Sequence, residues 1–529
     1  MSFRRVGGLA AMALAVLLWI SCGEIYRPVV IPIAITPPNS ASFHAVFGIS
    51  ANVQANPGAA LQIDVSGDTN IGEANMGINP THAAIMPNNA RVYVASAGTA
   101  CVEDPALCNS AGAFPGGADI VTAFSPAVAI STATGLGNPS VFTFPNTGPL
   151  DATGKPAWFC SYLPDFLTTT QSTQMFVANF GVDNDPGCAP NLSSTDSVAI
   201  LSNIDNTITN IAYLPAGAHP VALAETPNAQ HLYVVNQGDD TVSDLSPVDL
   251  STTATITVGA TPVWAVARPD NQRVYVLTQG DGMLAAIDVA SDTIVSSLSV
   301  GIGANFLLYD PHLNRLYVAN PINGNVYVFS ATGGANDTPT LLATISMSSG
   351  SKPPCSSACS PVSVAPLPDG SRFYVASYQS QSACSDPKVG SAVPCIIPLL
   401  TVFDAPSMTL KPATSTLRAP SISLLGQPNF ASNQYAVPQV TSCAPPSTYA
   451  PGTTRFRMYA TAAADSSHVY VSICDAGAIA DVVTKTNTIS TGSNSPDTLV
   501  ADIPAPFGSC VGTCNSTPLQ TPIFLLTGQ

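Results

Sequence analysis

Eight short segments of this chain look alike, and they constrain the fold more than anything else in it. They read RVYVAS (91–96), QMFVAN (174–179), HLYVVN (231–236), RVYVLT (273–278), RLYVAN (315–320), RFYVAS (372–377), HVYVSI (468–473) and, more loosely, PIFLLT (522–527). The tightest spacing runs Tyr233 to Tyr275 to Tyr317, 42 residues each time. A period near 40 around a strand-like centre is the mark of one four-stranded blade per repeat. The chain is therefore expected to be an all-β propeller of eight four-stranded blades.

One repeat can be read strand by strand. Residues 262–267 form a β-rich run, followed by the turn 268–271. Three further runs follow at 273–278, 284–289 and 293–300, with Gly280, Gly282 and Ser291-Asp292 as turn signals. Sustained apolar spacing at i, i+3, i+4, i+7 occurs only in the first twenty residues, so almost no helix is expected. At the ends, 60–65 and 71–76 resemble strands c and d, while 496–502 and 522–527 resemble a and b. Together they make one blade, with two strands from each terminus closing the ring and hiding its sheet edges.

These residues resemble the YVTN-type β-propeller repeat family, whose repeat runs roughly P-x-x-V-A-x-x-P-D-G-x-x-L-Y-V-x-N and then V-x-V-I-D. Pro220-Val-Ala-Leu-Ala224 and Leu232-Tyr-Val-Val-Asn236 match it, as do Pro368-Asp369-Gly370 and Phe373-Tyr-Val-Ala-Ser377. The likeness covers most of 60–527 and is sharpest from 218 to 377. It departs where Pro156 and Phe176 are twenty residues apart rather than thirteen, and where Arg457 replaces the proline. Members most often have seven blades, which makes seven the runner-up count. The resemblance implies a fold and an extracytoplasmic setting, and no single reaction.

The first residues read as an address. Arg4 and Arg5 precede an apolar run, 6–20, that ends at Ser21-Cys22-Gly23 and is too short for a transmembrane helix. The stretch resembles a bacterial lipoprotein signal, with Cys22 becoming the acylated first residue; Ile20 and Ser21 fit, and Trp19 stands where leucine is usual. The expected organisation is a signal peptide over 1–21, an acylated, proline-rich tether over 22–45, and a single propeller domain over 46–529. The expected place is the cell envelope, on the periplasmic or outer face of a bacterial membrane.

Thirteen cysteines become twelve once Cys22 is set aside, an even number that suits an oxidising compartment. Neighbouring cysteines suggest the disulfides Cys101–Cys108, Cys160–Cys188, Cys355–Cys359, Cys384–Cys395, Cys443–Cys474 and Cys510–Cys514. Zinc at the C-x3-C pairs 355/359 and 510/514 is the rival reading, although zinc sites usually carry tighter paired motifs. Only 9% of residues are charged, against about 25% in an average chain. The formal charge of −16 repels phosphate backbones, which argues against nucleic acid as a partner.

The chain is far longer than eight such repeats need, and the excess lies in connections. Taking strand a to run from the top face downward, the b–c segments 97–118, 180–195 and 378–398 emerge on top, with the d–a segments 147–155, 346–360 and 426–453. Only 165–173 and 505–521 read as a–b connections on the other face. Long loops on a rigid scaffold commonly carry function.

Counting thirteen residues back from each b-strand tyrosine, or from the proline where spacing differs, aligns strand a. Its third position is His82, Trp158, Ala222, Trp264, Phe306, Ser363, Tyr459 and Thr498. Aromatic rings at a channel mouth can stack on flat or sugar-like ligands; the same rings could instead pack between blades. The candidate binding residues are His82, Trp158, Trp264, Phe306, Tyr459 and His219. His231, His312 and His468 fall in a–b turns on the far face and are expected to be exposed there. Asp183-Asn184-Asp185 could offer oxygen ligands to calcium, but lacks the glycine and distal glutamate of an EF-hand loop, which favours an Asx turn. No G-x-S-x-G, H-E-x-x-H or P-loop is present. No catalytic residue, metal or cofactor is assigned. The expected role is a membrane-anchored binding or scaffold module that holds an envelope protein, glycan or small ligand on its top face. The alternative is a propeller-hosted hydrolase, lactonase-like, working in the central channel.

Overall fold

The structure is a computed structural model, which describes residues 45–52, 57–65, 69–98, 120–126, 139–145, 160–185, 188, 192–334, 336–348, 358–385, 392–411, 421–424, 443, 456–485, 496–506 and 520–528. The chain divides into Met1–Pro38, all outside the described residues, and Asn39–Gln529. The second unit is an eight-bladed propeller. Each blade is an antiparallel sheet of strands a to d, and blade 7 adds a short fifth strand. Among the described residues the helical content is the 3-10 turn Cys474–Ala476 and one further residue in 3-10 conformation, Cys443.

Blade 5 shows the pattern: a is Pro262–Ala267, b Arg273–Thr278, c Met283–Asp288 and d Thr293–Ser299. Every residue of its strand b is buried, whereas strand d alternates towards solvent. Strand b lies between a and c and is covered on both faces by neighbouring blades. It therefore reads as a continuous apolar run rather than an alternating one, which is why it dominates the repeat.

In four blades the repeat tyrosine bonds to the next blade. Tyr93 of blade 2 donates to Asn203 in the c–d turn of blade 3 at 3.1 Å, and Tyr233 of blade 4 to Asp292 in that of blade 5 at 2.8 Å. Tyr275 of blade 5 donates to the Ala331 carbonyl at 2.7 Å, and Tyr374 of blade 7 to Asp497 of blade 8 at 2.5 Å. A buried ring thus fills the wedge between blades while its hydroxyl satisfies the neighbouring turn. Each of these bonds contributes about 1 kcal/mol. The Tyr317 hydroxyl of blade 6 is buried without a hydrogen-bond partner among the described residues, and blade 3 carries Phe176 instead.

Ring closure joins both ends of the chain, but not two strands from each. In blade 1, Thr521–Thr527 is strand a, and Ala45–Ala51, Pro57–Asp64 and Thr69–Ile78 are b, c and d. One strand comes from the C-terminal end and three from the N-terminal end. Thr498–Pro504 is instead strand d of blade 8. The N-terminal strand b escapes the repeat pattern because Gly48 stands at its centre, where the other blades carry valine or its like. A Cβ there would lie 2.4 Å from the Cδ1 of Ile479 of blade 8, which would have to turn aside to admit a larger residue.

Strand a usually starts with a bulge. Register shifts between Pro80 and His82, Pro164 and Phe166, Pro220 and Ala222, Pro262 and Trp264, and Pro361 and Ser363. Proline cannot donate to the ladder, and the extra residue re-aims the third side chain towards the propeller axis.

Candidate functional site

The third positions of strand a meet at the axis. Read by observed register they are Phe524, His82, Phe166, Ala222, Trp264, Phe306, Ser363 and Tyr459, for blades 1 to 8. Two sequence assignments change. Thr498 belongs to strand d. The place given to Trp158 belongs to Phe166, because strand a of blade 3 is Pro164–Thr168; Trp158 itself lies outside the described residues. Pro164 is twelve residues before Phe176, one short of the usual thirteen, and the earlier Pro156 drew the alignment away.

The rings touch one another across the axis. His82 stacks on Phe166 at 3.9 Å and 17°, and lies 4.6 Å from Phe524. Phe166 meets Trp264 at 5.8 Å over the small Ala222 of blade 4. Phe306 meets Trp264 at 5.8 Å and, over Ser363, Tyr459 at 6.1 Å. One further ring, Phe456, precedes strand a of blade 8. It lies 5.7 Å from Trp264, 5.0 Å from Tyr459 and 6.1 Å from Phe524. Blades 5 and 1 face each other across the ring, so Trp264, Phe456 and Phe524 bridge its full width. Tilted and edge-on pairs of this kind contribute about 0.5–1.5 kcal/mol each beyond area burial. The aromatic positions form a plug in the channel rather than an open rim.

His82 is held neutral inside this plug. Its Nδ1 accepts the Leu167 N–H at 3.2 Å, and burial lowers its pKa from 6.5 to about 3. Burial likewise pushes the Tyr459 phenol well above its usual range.

Above the plug, the connections are braced on the top face. Cys160–Cys188 ties the entry to blade 3 to its b–c loop, and Cys443–Cys474 ties the insertion before blade 8 to that blade's b–c turn. Cys359 is also disulfide-bonded. Cys22, Cys101, Cys108, Cys355, Cys510 and Cys514 lie outside the described residues. For Cys384 and Cys395 only the backbone is described, opposite Val393 and Gln381 on a long hairpin. That hairpin, Arg372–Ser385 with Ala392–Asp404, extends the b and c strands of blade 7 where a loop was expected. The segment 505–521 also changes face. It joins strand d of blade 8 to strand a of blade 1, which is a top-face connection. Residues 169–173 are then an ordinary a–b turn. Most long connections thus leave the same end of the propeller; two, 125–139 in blade 2 and 484–497 in blade 8, join strand c to strand d at the opposite end.

Arg457 explains its departure from the repeat proline. It is fully buried and forms two hydrogen bonds to Asp475, at 3.0 and 2.9 Å, with its guanidinium 4.8 Å over the Tyr378 ring. It locks the start of blade 8 to the b–c turn beside Cys474.

His219 lies on the top face, partly exposed. Its ring stacks on Phe180 at 4.4 Å and 3°. Nδ1 lies 3.1 Å from the Phe180 carbonyl and 3.3 Å from the buried Asp196, while Nε2 faces Asp183 at 4.0 Å. The bond to Asp196 is the main cause of a raised pKa, opposed by burial and helped by the Phe180 carbonyl and both carboxylates. Asp185, the other carboxylate of the 183–185 turn, is buried and accepts the Ser161 N–H at 2.7 Å. Among the described residues no group of three or more His, Cys, Asp or Glu side chains is placed to hold a metal ion.

Two far-face histidines differ from expectation. His468 is buried, its Nδ1 2.9 Å from Asp481, and His231 is partly buried, 2.7 Å from Asp244. Both carboxylates come from strand c, thirteen residues on, a cross-strand spacing that sequence inspection could have found. His312 is exposed as expected; His44 lies outside the described residues.

No protein-family model matches this chain, and no curated protein matches it in sequence. Solved structures do. The Pseudomonas aeruginosa periplasmic gluconolactonase is 13% identical over 66% of this chain and 94% of its own, with a TM-score of 0.44. A Bacteroides fragilis protein provisionally assigned as a 6-phosphogluconolactonase is 14% identical over 73% and 97%, with a TM-score of 0.45. Kuenenia stuttgartiensis hydrazine synthase is 15% identical over 65% and 87%, with a TM-score of 0.41. At such identities and scores no activity passes from them to this chain.

Proposed function

We propose that the protein is an extracytoplasmic β-propeller that binds a partner on its insertion-bearing top face, anchored to a bacterial membrane through Cys22. The observation that carries the reading is the one-sidedness of the molecule. Most of the long connections leave one end, two disulfides brace them there, and a packed aromatic plug supports them from below. Loops can diversify without disturbing the blades, and a rigid base limits the entropy lost on binding. The disulfides place the chain outside the reducing cytoplasm. The candidate residues Trp264, Phe306, Tyr459 and His82 act in this reading as the floor of the binding face rather than as a contact surface, and His219 lies on that face. A hydrolase site in the central channel has no observation in its favour, because rings fill the axis at the level of strand a and His82 is sealed among them.

The test uses envelope fractions and three variants of the full chain. Shortening the blade 7 hairpin should abolish recovery of the partner that the wild type crosslinks in envelope extracts. Ile204→Ser with Val248→Ser, in c–d turns of the opposite face, should leave it unchanged. Retention with the shortened hairpin and loss with the Ile204/Val248 variant would refute the face assignment. Cys22→Ala should move the protein to the soluble fraction; unchanged fractionation would refute the anchor alone.

A further inference from the structure

The top face is not covered evenly. Blades 4 to 6 carry only short turns there, and these turns pack into one continuous arc. A Cβ on Gly238 would lie 2.0 Å from the Gly217 carbonyl and 2.9 Å from the His219 ring, one on Gly259 2.4 Å from Asp281, one on Gly282 2.3 Å from the Ile302 nitrogen, and one on Gly303 2.3 Å from Ile322. Each turn therefore rests on the next through a glycine.

The arc ends in two bare apolar side chains. Ile302 is 67% exposed and Ile322 73% exposed. Both are held rigidly by the asparagine that closes the repeat motif of blade 6. The Asn320 amide group lies 2.8–3.1 Å from the carbonyls of Val300, Gly301 and Ile302, and its Oδ1 accepts the N–H groups of Ile322 and Asn323 at 3.0 and 3.1 Å. Exposed, pre-organised apolar side chains lose little entropy when a partner covers them.

The rest of the arc is acidic. Asp183, Asp239 and Asp281 are exposed, with Asp240 beside them. Apart from His219, their described partners are neutral: Gly217 N–H for Asp183, Thr241 for Asp239, Thr261 N–H for Asp240 and Thr278 for Asp281. The described arginines and lysines, Arg457 excepted, belong to the opposite end, where Arg273, Arg372 and Lys411 are paired with Asp288 and Asp497. The sector therefore presents carboxylates running into an apolar pair, with no cation of its own among the described residues.

We infer that this uncovered sector of blades 4 to 6 docks a cationic segment of a partner protein, its lysines or arginines over Asp239 and Asp281 and apolar side chains over Ile302 and Ile322. The inference rests on the top-face reading above and names the chemistry of the partner. A second copy of this chain would bring like charge to the same arc, and an anionic lipid surface would be repelled by it.

The experiment titrates the mature full-length chain with a short synthetic peptide carrying lysines in one half and leucines in the other, and with its glutamate-for-lysine counterpart. The lysine peptide should bind, and the glutamate peptide should not. Ile302→Ser with Ile322→Ser should weaken binding about tenfold or more, as expected for central apolar anchors, with an unchanged melting profile because both side chains are exposed. Asp239→Asn with Asp281→Asn should weaken binding and flatten its salt dependence. Equal binding of both peptides, or no effect of either double variant, would overturn the inference. So would binding to anionic vesicles that depends on Ile302 and Ile322. If shortening the blade 7 hairpin removes peptide binding while the arc variants keep it, the arc is wrong and the top-face reading stands. If only Ile204→Ser with Val248→Ser removes it, both fall.

Discussion

Acid should open the aromatic plug through His82. The ring is buried against Phe166 and Phe524, and its pKa of about 3 lies well below the ordinary 6.5. A depressed histidine pKa means the unfolded chain takes up the proton first. Neutrality of His82 therefore costs nothing above about pH 7, and stability falls as the pH drops from 6.5 towards 3. At about 1.4 kcal/mol per pH unit, the loss assigned to this one group reaches about 2–3 kcal/mol near pH 4.5. The comparison that isolates it is His82→Asn, whose carbonyl can still accept the Leu167 N–H but cannot titrate. Losing the ring costs the variant about 2–4 kcal/mol at every pH. The difference between the two proteins should then shrink on acidification, by about 2–3 kcal/mol between pH 7 and pH 4.5. Denaturant unfolding at a series of pH values measures it, and buried carboxylates such as Glu225 and Asp310, with raised pKa values of their own, cancel in the comparison. Parallel pH profiles for the two proteins would refute a sealed, neutral His82.

Three other perturbations probe the frame. Asp475→Asn should destabilise by about 3–5 kcal/mol because it strands the buried Arg457 charge, while Arg457→Met with Asp475→Leu should come close to wild type; a double variant as unstable as the single one would refute the account. Tyr233→Phe should cost about 1 kcal/mol in unfolding free energy and Asp292→Ala about as much, with no further loss on combination, as one hydrogen bond between blades requires. Cys160→Ser with Cys188→Ser should cost about 3–4 kcal/mol, from a sequence separation of 28, and peptide mapping without reductant should recover the 160–188 and 443–474 links in the wild type.

The sequence by itself determined the blades. Strand b is buried on both faces and carries the tyrosine that staples its blade to the next, so neither its apolar run nor its ring can drift far. The motif recurs seven times as strand b, with Phe176 for tyrosine once, while its eighth look-alike, 522–527, is strand a of blade 1; the four-strand unit and closure by both termini follow from that spacing. The pattern failed in two places. Gly48, packed against the Ile479 Cδ1, stands where the other b strands carry valine, so the N-terminal strand b escaped the pattern and the seam was read one strand off. Phe166 was hidden by one missing residue in the a–b spacing. Tertiary structure alone decided what the strand-a residues do. A period of about 42 says that eight side chains share a level, but only the diameter of the closed ring says whether they line a mouth or meet. Here Phe456, which belongs to no repeat position, fills the remaining space between Trp264 and Phe524. The arc from His219 to Ile322 was likewise invisible, because its members lie in turns of different blades and become neighbours only when the blades pack side by side.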